Sequence, residues 1–389
     1  MLFATTGCLT NCLTVYLPYI IKINNFTNTQ GSFLMTLRNL TSLLAIFFVT
    51  KFYDKISLRT GVTAAVMLSG ICFFLFSIAQ SFTAYCLTFA LAGISYVFGG
   101  FVPASILIIR WFKGHRALAL GISSAGSSLA TIMAPPLLTK MIEHLSLTTT
   151  FLCQAAWGIF LGVLVYCIVR NSPEVMGLAP VADVEQKIQP TRKKKNHLNI
   201  LENIGQFKLM LLALFILGAV NTPSYSHLAV LYRMENFSAM DVALGLSVIG
   251  VTLTICKCAY GACTDALGSY KANYLFFTLF ALGNFLCGLA FIHNWYLFMA
   301  AAIAIGIGFP VTTVGVSVLA ADLSTVSSYG QTLKNFQIAG LLGTFVFSIF
   351  PGVIADGFGS YTPAYWVFTV FVLMALGIIQ HIYRKNGLV

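Results

Sequence analysis

Three basic residues stand inside long apolar stretches: Arg38, Lys257 and Lys334. All eleven acids fall in polar turns or at the ends of those stretches: Asp54, Glu143, Glu174, Asp183, Glu185, Glu202, Glu235, Asp241, Asp265, Asp322 and Asp356. No stretch interior carries a carboxylate. A Lys at the centre of a hydrocarbon layer costs about 2.5–3.5 kcal/mol on the lenient insertion scale. An unneutralised cation there calls for an anion or water that visits it. Snorkelling toward the headgroups is the competing explanation for each lysine. Arg38, near the outer third of its stretch, has three readings: leaning outward, capping a carbonyl, or attracting anions at an outer gate. His227, among Asn221, Tyr225 and Ser226, is either a hydrogen-bonded packing residue or a contact for substrate or proton. Asn11 and Tyr16 are candidates to line a cavity or to bridge helices.

The elements that hold these residues follow from composition. The chain has 389 residues, 58% apolar and only 8% charged. A soluble domain carries about 25% charged residues, so a water-exposed globular surface is excluded, and the one short basic run excludes a nucleic-acid-binding arm. A membrane helix needs about 20 apolar residues. Twelve segments meet that need, near 2–21, 32–50, 61–80, 84–109, 117–141, 150–169, 207–232, 241–264, 273–292, 295–319, 324–354 and 364–383. The first is expected to be a retained span rather than a signal, with a short N-terminal tail missing before it. The fold class is an all-α membrane protein of twelve transmembrane helices.

Charge sets orientation. Sixteen of the 22 Lys and Arg fall in even-numbered inter-span loops or at the C-terminus, three fall on the other side, and three lie within spans. The excess places both termini in the cytoplasm. The polar stretch 171–206, with Pro173, Pro180, Pro190 and the run 192–195, reads as a cytoplasmic linker between bundles 1–170 and 207–389. That basic run is expected to anchor on anionic lipid. The halves look alike: Asp54 and Asp265 stand 211 residues apart, and Gly121 and Gly330 stand 209 apart, each after the corresponding span. Ile46 and Ala125, the positions related to Lys257 and Lys334, are uncharged, so the two lysines are not a by-product of the repeat.

This layout resembles the major facilitator superfamily along the whole chain. Its loop signature is matched by Asp54, Lys55 and Arg59, with Thr50 and Ser57 replacing glycines, and again by Gly261, Asp265 and Gly268. In that family the loop latches the halves in one state of alternating access, a role the resemblance extends to Arg116. The run from Trp111 and Phe112 through Arg116, Leu118, Ala119, Gly121, Ala125, Gly126 and Ser127 resembles the signature of the oxalate–formate antiporter and monocarboxylate transporter group. Its small-residue face, with Gly121, Ser124 and Gly126, suits close approach and sliding of membrane helices. In the antiporters, basic residues on spans 8 and 11 hold the anion. The first lies eight residues before the loop Asp, which is Lys257, and the second follows a Tyr-Gly start, which gives Lys334 after Tyr329-Gly330. The span 8 residue is usually Arg, and Leu253 replaces the Asp of proton-coupled relatives.

The resemblance implies a secondary transporter of small organic anions, mono- or dicarboxylates, working by alternating access and by anion exchange. It is expected in the plasma (inner) membrane as a functional monomer whose partners are substrate and lipid bilayer. The alternatives are a facilitator or symporter for a neutral or cationic solute, and a non-transporting sensor on the same fold. No phosphate-binding loop, Ser-His-Asp set or zinc spacing of the ten cysteines is found, so no enzyme, metal, cofactor or nucleic-acid partner is expected.

Overall fold

The computed structural model describes residues 1–112, 116–178, 200–325 and 328–388, with backbone alone at 50, 109, 116–118, 120, 121, 124 and 125. The basic run 192–195, the linker residues 179–199 and Lys113 lie outside the described residues, as do the side chains of Arg116, Gly121 and Ser124.

Helices fill both of the chain's compact units, residues 1–26 with 37–194 and residues 27–36 with 195–389. In the first unit a π-helical stretch, Phe3–Asn11, runs into α1 (Leu13–Ile23). There follow α2 (Asn28–Lys55), whose N-terminal end falls in the second unit, then α3 (Leu58–Ile78), α4 (Phe82–Phe98), α5 (Phe101–Trp111), α6 (Arg116–His144) and α7 (Leu147–Ile168). The second unit holds α8 (Ile204–Ser226), α9 (Leu228–Met234), α10 (Ala239–Leu267), α11 (Ser269–Cys287), α12 (Trp295–Gly308), α13 (Val314–Asp322), α14 (Tyr329–Phe347), α15 (Phe350–Phe358) and α16 (Thr362–Lys385). Joined across their short breaks, these make twelve spans among the described residues, and nine of the helices are long and apolar enough to cross a membrane.

Local chemistry explains where the spans begin and bend. Ser57, Ser81, Ser146, Asn203 and Ser238 each accept a hydrogen bond from a backbone N–H in the first turn of the following helix. That satisfies a donor which has no partner within the helix. Span 10 breaks at Pro310, where Phe309–Thr312 tightens into a 3₁₀ turn, and span 11 breaks just before Pro351. The pair Pro135-Pro136 behaves differently, since α6 runs through it unbroken. Large apolar side chains such as Phe47, Phe48, Phe74, Leu87, Phe160, Ile168, Val370 and Leu373 are exposed. Such a surface suits lipid tails rather than water.

The repeat is visible in the packing. Gly93 on α4 lies against the Arg38 carbonyl and the Thr41 hydroxyl, so a Cβ there would overlap both. Gly306 on α12 meets Thr252 and the Ile249 carbonyl in the same way. Thr41 and Thr252 each donate back to that carbonyl, at 3.0 and 3.1 Å. Both Thr41 to Thr252 and Arg38 to Ile249 span 211 residues, the offset between the two loop aspartates. A second pair repeats likewise: Gly7 abuts Ala130, and Gly218 abuts the Gly340 carbonyl. Without a hydrophobic drive between helices in lipid, such small-residue contacts are a main source of cohesion.

The N-terminal end of α2 is anchored inside the second unit. Asp356 accepts from the backbone N–H groups of Asn28 at 3.0 Å and Thr29 at 2.8 Å and from the Asn28 amide at 2.9 Å. A carboxylate at a helix N-terminus also meets the positive end of the helix dipole.

Gly218→Ala should destabilise the protein by roughly 1–3 kcal/mol, the usual cost of overpacking. Gly261→Ala, with nothing within 4 Å of the added methyl, should leave stability unchanged or raise it by up to about 1 kcal/mol through helix propensity. Melting of both variants in detergent checks the contrast.

Candidate functional site

The polar chemistry of the second unit gathers on three spans. On α10, Ser247, Gly250, Thr254, Lys257 and Gly261 recur at spacings of three and four, which places them on one stripe of the helix. The hydroxyls of Ser247 and Thr254 turn back to Ala243 O at 3.1 Å and Gly250 O at 2.7 Å, so they do not interrupt the helix. Lys257 on this stripe is half-buried, and among the described residues its ammonium makes no hydrogen bond or ion pair within the protein. It lies four residues past the midpoint of α10, or about 6 Å at the α-helical rise.

Lys334 is placed differently. It is exposed on α14 together with Gln331 and Gln337. Taken as the apolar segment 324–354, span 11 would put Lys334 at about the same level as Lys257. The helical part begins at Tyr329 and continues through α15 to Phe358. The midpoint therefore moves toward the C-terminal end of the span, and Lys334 lies about 14 Å from it on the Tyr329 side at the same rise. Lys257 is the deeper cation.

The break in span 10 supplies a polar pair that the sequence reading missed. Thr312, the last residue of the 3₁₀ turn, lies within hydrogen-bonding distance of Asn221 Oδ1 on α8, at 2.9 Å, and of Phe309 O, at 2.8 Å. Tyr225, one turn beyond Asn221, meets the Phe309 ring edge-on with centroids 5.9 Å apart. The available signal was Pro310 inside an apolar span, which frees backbone groups that a nearby hydroxyl then satisfies.

Two candidate contacts are buried within the protein. Arg38 is 5% exposed. Its guanidinium donates to Asn39 Oδ1 at 2.8 Å and reaches Thr10 O at 3.5 Å. It therefore caps a carbonyl at the end of the π-helical stretch instead of leaning outward. His227, at the joint between α8 and α9, is fully buried. Its Nδ1 lies 2.9 Å from Pro223 O, which can only accept, so Nδ1 carries the proton and Nε2 accepts from the Ser32 hydroxyl at 2.7 Å. Both ring nitrogens are thus hydrogen-bonded within the protein. Tyr16 is likewise no cavity residue: it packs against Phe73 and Phe151 with no exposed surface. Asn11 bridges to Thr131 on α6 at 2.7 Å.

Of the loop residues, Asp54 and Lys55 are exposed at the end of α2. Arg59 stacks 4.0 Å over the Tyr166 ring and donates to Tyr166 O at 2.8 Å, tying α3 to the end of α7. Asp265 is exposed near the end of α10. Gly126 on α6 packs on Phe3 at ordinary distance, so the described part of the small-residue face meets the π-helical stretch.

Replacing His227 with Ala leaves the Ser32 hydroxyl and Pro223 carbonyl without the imidazole. The expected loss is about 1–3 kcal/mol of stability, seen as a lower melting temperature in detergent, with an unchanged half-saturation for transport.

Comparison with known proteins agrees with this architecture. The family model for the Major Facilitator Superfamily matches residues 1–259. The oxalate:formate antiporter of Oxalobacter formigenes is 26% identical over 246 residues, 61% of this chain and 53% of that protein. Monocarboxylate transporter 13 of Bos taurus is 24% identical over 346 residues, 84% of this chain and 75% of that one. The aligned region thus spans about half the length of the first relative. The crystal structure of nucleoside transporter NupG superposes with a TM-score of 0.79 at 12% identity, covering 98% of this chain and 97% of that one. A bacterial homologue of the human lysosomal transporter Spinster, in its inward-facing and unoccupied conformation, gives 0.71 at 16% identity over 99% and 96%. The chain belongs to the major facilitator superfamily, whose members are multi-pass membrane transporters rather than enzymes.

Proposed function

We propose that the protein moves small organic anions, mono- or dicarboxylates, across the plasma membrane by alternating access, and that it works as an exchanger. The observation that carries this reading is Lys257: a half-buried ammonium near the middle of span 8 with no protein partner among the described residues. A carboxylate is the simplest group that neutralises it. Lys334, on the inner part of span 11, draws the anion inward or pairs with a second carboxylate. Asp54, Lys55, Arg59, Asp265 and Arg116 act as the latch between states, and the face with Gly121, Ser124 and Gly126 is where helices slide. Both termini lie in the cytoplasm and the monomer is the working unit. The two curated relatives, named for oxalate, formate and monocarboxylates, support the same substrate class.

Exchange follows from electrostatics. An empty carrier moves a bare ammonium through a poorly hydrated state, which is costly. A bound anion removes that cost, so the loaded carrier turns over faster. A second reading, transport of a neutral or cationic solute, draws on the exposure of Lys334, whose position allows snorkelling to the inner headgroups.

Proteoliposomes separate the two. Vesicles preloaded with labelled lactate, formate or oxalate should release it slowly into plain buffer and faster when unlabelled anion is added outside. Lys257→Ala and Lys334→Ala should each nearly abolish this release, and their membrane insertion should be unchanged. Equal release in both buffers, with accumulation driven by an imposed pH gradient, contradicts exchange. Uptake of sugars or amines in place of acids contradicts the anion assignment.

A further inference from the structure

Lys is a point charge, whereas an Arg grips a carboxylate with two parallel N–H groups. A site built on Lys257 alone leaves one carboxylate oxygen without a directed donor. The structure places a second donor at the same level.

The level is fixed by two contacts that bracket it. Spans 8 and 10 run in the same direction, and Thr252 meets Gly306 while Tyr260 meets Gly315. Lys257 lies between Thr252 and Tyr260, and Thr312 lies between Gly306 and Gly315. The turn that carries Thr312 packs against α8 and α10 alike. Asn221 on α8 is joined to Thr312 at 2.9 Å. Lys257, Thr312 and Asn221 are all half-buried.

The Thr312 hydroxyl has one proton and two acceptors in reach, Phe309 O and Asn221 Oδ1. When the proton points to Oδ1, the amide of Asn221 is fixed with Nδ2 turned away from Thr312. Among the described residues Nδ2 then has no partner. An oxygen anion near Lys257 selects that arrangement, because it needs a donor and Nδ2 is one.

We infer that Asn221 is a specificity-determining residue of this transporter: its Nδ2 donates to the carboxylate whose charge Lys257 neutralises, and Thr312 positions the amide. Lysine and amide together replace the fork of an arginine. This rests on the reading that a carboxylate binds at Lys257.

The test is a double-mutant cycle on the full-length protein in proteoliposomes, with lactate and oxalate as probes and half-saturation of exchange as readout. Asn221→Leu should raise half-saturation about tenfold, the size of one hydrogen bond to a charged group. In a Lys257→Arg background, which supplies two donors itself, the same change should cost less than about threefold. Thr312→Val should behave like a weaker Asn221→Leu, and Thr312→Ser should restore wild-type values. If Asn221→Leu does not fold, Thr312→Val carries the cycle against Lys257→Arg. Equal effects of Asn221→Leu in both backgrounds, or none in either, overturn the inference while leaving the anion reading intact. Failure of the wild-type protein to bind either acid, read by thermal shift, overturns both.

Discussion

An ammonium group held near the middle of an apolar span, with carboxylates only at span ends and in turns, is the constraint on which the rest of the molecule depends. The cost of such a charge, about 2.5–3.5 kcal/mol even on the lenient scale, is not repaid by a local partner among the described residues. The stripe of Ser247, Gly250, Thr254 and Gly261 around Lys257 gives that charge polar or small neighbours. The broken turn of span 10 carries a hydroxyl, on Thr312, that meets the Asn221 amide of α8. Each of these features weakens a membrane helix when taken alone, and each has a use if an oxygen anion visits.

The scaffold beneath this chemistry is a repeated backbone contact. Gly93 against Arg38 and Thr41 in one unit and Gly306 against Ile249 and Thr252 in the other are the same joint 211 to 213 residues apart. The joint is conserved between the halves in geometry but not in charge. The first unit buries Arg38 where the second has Ile249, and the second carries Lys257 where the first has Ile46. Arg38 is consumed by its own fold through Asn39 and Thr10. Lys257 is not. One duplicated frame therefore holds one structural cation and one available cation.

Span positions were readable from the sequence because a membrane helix is defined by length and apolarity, and those are local. Span 2 was expected from 32 to 50 and runs Asn28–Lys55; span 8 was expected from 241 to 264 and runs Ala239–Leu267. The extra turns of α2, residues 28–31 and 51–55, carry most of its polar and charged ends, which an apolarity criterion does not register. The repeat was readable from two aspartates. Depth was not: the start of span 11 depends on residues near 324 being non-helical, which apolar content does not reveal. The partners of Arg38 and His227 were also out of reach, because Thr10 and Ser32 are ordinary residues whose value comes only from tertiary placement. Thr312 was overlooked for the same reason, although Pro310 marked the place.

Anion transport by this protein requires that a negative charge is what Lys257 answers. Thermal shift of the purified protein against matched pairs, each carboxylate beside its primary amide of the same shape, isolates that charge. Lactate or oxalate should stabilise the protein where lactamide or oxamide do not, and the difference should vanish in Lys257→Met. Equal stabilisation by acid and amide, or a difference that survives in Lys257→Met, would contradict the anion assignment.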